Sequence, residues 1–212
     1  AIRDGLTELD FSRVLFRSML HGRLLRSSRP RARILRVRTP ALPPGYAVVD
    51  RRDVPGKNRV KMLVDDQPVF AGEEVRYIGE PVLLVAGPDR EVLDRLLRET
   101  EIDYQDLPAD FDPVSGAEDP PRLAADYRIA RGNPDVAFAA AEEIFSEVFE
   151  TGIQEQMYLE PQGVTGICEG GRVTVYGSMQ CPFYVKNALI QAFGLPADRV
   201  REGDSFAITD LS

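Results

Sequence analysis

The chain has 212 residues, 43% of them hydrophobic and 28% charged, with a formal net charge of −8. These are the proportions of a globular protein of one or two domains. Two cysteines and one histidine argue against a disulfide framework, a structural zinc site, a His-based metal site and a Ser-His-Asp triad. No apolar run approaches the roughly 20 residues of a membrane span.

The charge is uneven along the chain. Residues 1–61 carry 15 Lys/Arg against 5 Asp/Glu, a balance of +10, and the remainder carries 11 against 29, a balance of −18. The arginines between Arg23 and Arg38 alternate with apolar residues instead of clustering. Leu24, Leu25, Ile34 and Val37 are expected on one face and the arginines largely on the other. A solvated face, or one covered by the acidic second half or an acidic partner, fits this better than nucleic acid, and no nucleic-acid partner is expected.

Residues 1–18 show no clear periodicity, and the chain does not begin with Met. Arg3, Asp4, Glu8 and Asp10 interrupt any apolar core of a secretory signal. Together with a cysteine number and spacing unlike a disulfide framework, this points to the cytoplasm. Leu20 to Arg26 and Ala32 to Arg38 read as strands about a turn at Ser27 to Pro30. Thr39-Pro40 reads as a helix start that Pro43-Pro-Gly45 stops at once. Short strands follow at Tyr46 to Val49, Val60 to Val64, Pro68 to Phe70 and Val75 to Ile78. Asp53 to Gly56 is a turn, and Asp65 to Gln67 a polar connection. Val82 to Ala86 is the most apolar strand, Glu91 to Glu99 an amphipathic helix with Val92, Leu93, Leu96 and Leu97 on one stripe, and Ile102 to Tyr104 a closing strand. This first unit has an α+β pattern.

Residues 107–131 are rich in proline and aspartate and read as an extended linker. Asn133-Pro134 opens a helix over Asp135 to Glu143. Ile144 to Glu150 and Gly171 to Gly177 alternate as strands on either side of Thr151 to Gln162. Phe183 to Phe193 is a helix with Val185, Leu189, Ala192 and Phe193 inward, stopped by Gly194 and Pro196. Arg199-Val200 begins another strand.

No phosphate-binding glycine loop, zinc-protease motif or nucleophile elbow is present. The constellation with chemical content is Gln154 with Gln180, beside Ser178 and Cys181. Both glutamines fall in loops next to strands. A neutral amide offers donor and acceptor without charge, which suits an oxo group or a pterin-type heterocycle. Gln180 also suits a helix-capping role, and Glu160 an ion pair with an arginine. Cys181 reads as a small buried hydrophobe rather than a thiolate activated by a helix N-terminus, and Cys168 as structural.

Several spans, in order, resemble the molybdopterin-binding large subunit of the molybdenum hydroxylases, the xanthine dehydrogenase and aldehyde oxidase family. Met19-Leu-His-Gly-Arg-Leu-Leu-Arg-Ser27 with Pro30 to Ile34 is similar to the opening of the family's a/b hammerhead domain. Gly79 to Ala86 and Ile102 to Pro108 are similar to its close. Gly132 to Phe138 resembles the start of the first cofactor-binding domain. Gln154-Glu-Gln-Met-Tyr-Leu-Glu-Pro161 resembles the Q-E-H-x-Y-L-E-P signature, and Ser178-Met-Gln-Cys-Pro182 the S-T-Q-x-P.

The resemblance implies an α+β architecture: an a/b hammerhead domain at 19–106, a linker at 107–131, and the first part of a molybdenum cofactor-binding domain at 132–201. Segments 1–18 and 202–212 fall outside the resemblance and are expected to be assembly errors around an internal piece. The implied activity is hydroxylation of aldehydes or N-heterocycles with water-derived oxygen at a molybdenum–molybdopterin centre, with electrons passing to 2Fe-2S and FAD partner subunits or domains. Gln154 would orient an oxygen ligand of the metal without binding the metal itself, and Gln180 would face the cofactor. The family's G-G-G-F-G-G-K loop and its catalytic glutamate have no match. No residue here is therefore expected to be catalytic, and the chain alone is expected to be inactive. The competing expectation is a non-catalytic hammerhead module that docks partner subunits.

Overall fold

The computed structural model describes residues 19–62, 64–112, 127–155, 157, 159, 163–177 and 179–202. The anticipated errors at the two chain ends, the middle of the linker, Ser178 and Glu160 lie outside them. Two compact units form: residues 1–109 with 162–212, and residues 110–161.

Strand β7 (Pro81–Gly87) organises the first unit. It pairs antiparallel with β1 (His21–Arg26) and with β3 (Ala47–Asp50), giving the order β1-β7-β3. Leu83 and Val85 on one face of β7 pack with Leu93 and Leu96 of helix α1 (Arg90–Glu99), and Leu25, Tyr46, Val48, Val92 and Leu97 close around them. Asp89 caps α1: its Oδ1 accepts from the N–H of Glu91 at 2.8 Å and of Val92 at 3.0 Å. Val82, on the opposite face of β7, joins a second core with Ala32, Ala71 and Val75. There β2 (Ala32–Arg38) lies between β6 (Glu74–Val75) and β8 (Glu101–Asp106). Ile34, Ile102 and Tyr104 pack against this core. Glu80 is buried, and its Oε2 accepts the Arg76 N–H across the turn into β7.

Local differences from expectation have physical causes. Thr39 to Leu42 forms no helix, because the prolines that follow leave no room for a second turn. Around residues 60–70 strand and connection trade places. β4 (Val60–Lys61) pairs with β5 (Asp65–Gln67), and Pro68 to Phe70 lies outside the ladder. There Phe70 is held by Asn58, whose Nδ2 donates to Phe70 O at 2.7 Å and whose Oδ1 accepts from Phe70 N at 3.0 Å. Leu24 and Leu25 cannot share a face, since successive strand residues point to opposite sides. Leu25 packs in the core, and Leu24 is exposed.

Four arginines of β1, β2 and the turn between them pair with acids from later in the chain. Arg38 pairs with Glu101 at 2.9 Å and Asp103 at 2.8 Å, Arg33 with Glu74 at 3.5 Å, Arg29 with Asp106 at 3.5 Å and Arg23 with Asp94 at 3.4 Å. These pairs are solvated and screened, so they contribute little to stability.

In the second unit the helix α2 (Pro134–Ala140) is capped by Asn133 Oδ1 accepting from Val136 N at 3.2 Å, and it buries no residue. Ile144 to Glu150 forms no strand, and Phe145, Val148 and Phe149 are nearly fully exposed. A strand requires a partner ladder, and alternation alone supplies none.

Two outcomes follow. Leu93 is fully buried between β7 and α1, so Leu93→Ala is expected to cost about 2–5 kcal/mol in urea unfolding of the chain. Arg52 donates to both carboxylate oxygens of Asp50, at 2.6 to 3.1 Å. Those bonds first, then the Arg52 backbone N–H and the nearby positive charge, hold the Asp50 carboxyl below its ordinary value. A lowered folded-state value contributes stability above the usual carboxylate range, and that stability is lost as pH falls through the lowered value. Asp50→Asn is therefore expected to flatten the loss of stability below about pH 4, measured as urea midpoints against pH.

Candidate functional site

The residues before and after α3 (Pro182–Phe193) form a β-α-β unit. Strand β10 (Arg172–Gly177) runs into the segment that holds Gln180. Helix α3 follows, then a 3-10 turn (Ala197–Arg199), then β11 (Val200–Glu202), which lies parallel to β10 with Val173 opposite Val200. A parallel pair needs such a crossover, and the carboxyl end of its first strand, where a helix begins, is a common position for ligands. On its other side β10 pairs antiparallel with β9 (Val164–Glu169), a strand that the sequence reading left unassigned. The signal was present. Gly170 and Gly171 adopt φ of 58° and 70°, the left-handed pair that a tight hairpin turn demands.

Gln180 therefore stands between the carboxyl end of β10 and the start of α3. It is exposed, and it is not the helix cap. That position is Cys181, whose side chain makes no capping bond, while Pro182 supplies the first helical residue. Among the described residues, the amino end of α3 therefore has no side-chain cap for its free amides. Cys181 and Cys168 are both exposed thiols, which corrects the expectation that Cys181 is a buried hydrophobe. A helix of this kind places its N-cap residue at the rim of the sheet, not within the core. Along α3, Val185, Leu189 and Ala192 are half-buried as expected, but Phe193 at its end is exposed.

Gln154 belongs to the other unit. It lies in an irregular, exposed segment, and neither glutamine has a hydrogen-bond partner among the described residues. Both amides keep donors and acceptors open to a ligand. Met157, nearby, takes a left-handed backbone with φ of 45°, a conformation that costs a non-glycine residue about 1–3 kcal/mol.

The sequence reading missed a basic depression on the open face of the β9-β10-β11 sheet. Ile167, Glu169, Arg172, Thr174, Arg199 and Arg201 line a cavity of about 420 Å³. Arg199 Nη1 donates to Gly170 O at 3.3 Å. The period-two spacing of Arg172 with Thr174 was the available signal. Among the described residues, no group of three His, Cys, Asp or Glu side chains could hold a metal ion. No helix among them is long and apolar enough to cross a membrane.

Gly171→Ala is expected to lower stability by about 1–2 kcal/mol through the left-handed penalty alone, since no neighbour crowds that Cβ. A matched shift in the thermal midpoint with unchanged circular dichroism would register it.

Comparison with known proteins places these elements in a family. The profile of the aldehyde oxidase and xanthine dehydrogenase a/b hammerhead domain matches residues 13–108, and that of the molybdopterin cofactor-binding domain matches residues 116–203. A probable xanthine dehydrogenase subunit of Bacillus subtilis is 30% identical over 197 residues, covering 88% of this chain and 26% of its own length. The nicotinate dehydrogenase large molybdopterin subunit of Eubacterium barkeri is 28% identical over 197 residues, covering 88% of this chain and 46% of its own. Among solved structures, a Cu,Mo-CO dehydrogenase superposes with a TM-score of 0.72 at 27% identity, covering 86% of this chain and 27% of that one. Quinoline 2-oxidoreductase of Pseudomonas putida 86 shares the fold, with a TM-score of 0.71 at 23% identity, covering 94% and 30%. The chain thus spans less than half the length of these relatives. It belongs to the molybdenum hydroxylases, the family of xanthine dehydrogenases and aldehyde oxidases, and carries their hammerhead domain followed by molybdopterin cofactor-binding sequence.

Proposed function

We propose that this chain is part of an oxidoreductase that hydroxylates aldehydes or N-heterocycles with water-derived oxygen. Its division would be a hammerhead domain at 19–106, a linker at 107–131 and cofactor-binding sequence at 132–201. The observation that carries the reading is the succession of the two domain matches along the chain, each closing within a few residues of a structural element. Electrons would leave to 2Fe-2S and FAD subunits or domains. The cytoplasm is its proposed location, in keeping with two exposed cysteines left as thiols.

The residues present suit molybdenum–molybdopterin. A pterin edge alternates donors and acceptors, and an unpartnered neutral amide such as that of Gln180 can meet either. The uncapped amino end of α3 next to Gln180 offers backbone N–H groups and a partial positive charge to an anionic group. When bound, the cofactor would carry the metal on its own dithiolene and supply the two-electron redox chemistry. The chain's share is binding and orientation. Gln154 would hold an oxygen ligand of the metal by its amide and fix its direction, and Gln180 would hydrogen-bond the cofactor. Neither amide can move a proton at neutral pH, so the general base of the reaction comes from outside these residues.

The test is expression of the complete reading frame in a host that makes the cofactor, with molybdenum measured by mass spectrometry and turnover followed on an aldehyde and an N-heterocycle. Gln154→Ala is expected to lower turnover about 10- to 100-fold with molybdenum content near wild type. Wild-type turnover in that variant would remove Gln154 from the site. A wild-type product without molybdenum would favour a non-catalytic module that docks partner subunits.

A further inference from the structure

Helix α3 buries none of its residues completely. It rests on β11 and β4, so its hold on the sheet is weak, and its carboxyl end has carbonyls to satisfy. Gly194, left-handed at φ of 63°, and Leu195 both donate to Ile190 O. The next two carbonyls are taken by another part of the chain. Gly56 N donates to Ala192 O and Lys57 N to Gln191 O, each at 2.8 Å. Gly56 and Lys57 lie in the hammerhead match, and α3 lies in the cofactor-binding match.

The turn is shaped for this contact. A Cβ on Gly56 would overlap Gln191 O and would stand 2.7 Å from Gly194 N and 3.0 Å from Ala192 O. The φ of Gly56 is not left-handed, so space against the helix demands glycine there, not backbone conformation. Asn58, one residue beyond the donors, clasps the Phe70 backbone through both its amide atoms and fixes the turn to a buried residue.

We propose that Gly56 and Lys57 form a docking element that caps α3 from the hammerhead domain, making that domain the template on which the helix of the cofactor-binding sequence is ordered. Two backbone donors on a rigid turn satisfy two carbonyls that α3 cannot satisfy itself. Few apolar contacts compete with them for control of the helix end. The proposal stands on this contact alone and does not require the cofactor reading.

Residue-resolved amide hydrogen exchange on the chain tests it. The Gly56 and Lys57 amides, though in an exposed turn, are expected to exchange roughly ten-fold or more slowly than open chain. Open-chain rates at both would overturn the proposal. Gly56→Ala is expected to raise exchange at residues 188–195 by a similar factor while β1 and β7 keep wild-type protection, and unchanged exchange at 188–195 would overturn it. If Gly56→Ala unfolds the whole unit, Lys57→Pro decides, because it deletes one donor and adds no bulk at Gly56. Faster exchange confined to 188–195 supports the docking element, and wild-type exchange there overturns it.

Discussion

Both faces of β7 are buried, and the first unit depends on that. Val82 goes to one core, Leu83 and Val85 to the other, so one strand of seven residues belongs to two hydrophobic clusters. A strand buried on both sides reads as a continuous apolar run, as Val82 to Ala86 does. The two three-stranded sheets of the hammerhead region are built about it. β1 and β3 pair with β7 directly, while β2, β6 and β8 share the core that Val82 enters. The turn before it is fixed by polar means: Gly79 at φ of 91°, Ser27 N donating to Glu80 O at 2.8 Å, and the buried Glu80 carboxylate accepting the Arg76 N–H.

The region around α3 is stabilised differently. Among the described residues, its three strands bury only Val173, Val175 and Val200, and its helix is half-covered. Few apolar contacts mean that backbone hydrogen bonds and glycine geometry carry more of the specification. Gly170 and Gly171 turn the hairpin and Gly194 ends the helix. The same economy leaves polar groups open along its upper rim, Gln180 and the amino end of α3 among them. A binding surface needs such unsatisfied groups, and a tightly packed core could not provide them.

Legibility in the sequence followed the range of the interactions. β2, β7 and α1 were readable because their patterns are local: alternation, a continuous apolar run, and a 3.6-residue stripe begun by Asp89. The short strands at 60–70 were misplaced because a two- or three-residue ladder is decided by its partner and by the Asn58–Phe70 clasp, which no local pattern encodes. Ile144 to Glu150 has the alternation of a strand and, among the described residues, no ladder to join. Of the site, Gln180 was legible as a loop residue between β10 and α3, since Pro182 and Gly194 mark both helix ends. The exposure of Cys181 and the arginine depression were not, because each depends on strands brought together across the hairpin and the crossover.

The arginine pairs of β1 and β2 carry a consequence for how the chain is made. Arg38 is separated from Glu101 and Asp103 by 63 and 65 residues. At the roughly 5–20 residues per second of synthesis, those acids arrive about 3 to 13 seconds after the arginine. β7, the hydrogen-bonded neighbour of β1 and β3, is also made late. Until those acids and β7 are made, Arg38 lacks its partners and β1 and β3 lack the strand they pair with. The β1-β7-β3 sheet and the Arg38 pairs therefore form only after residues 81–103 have been made.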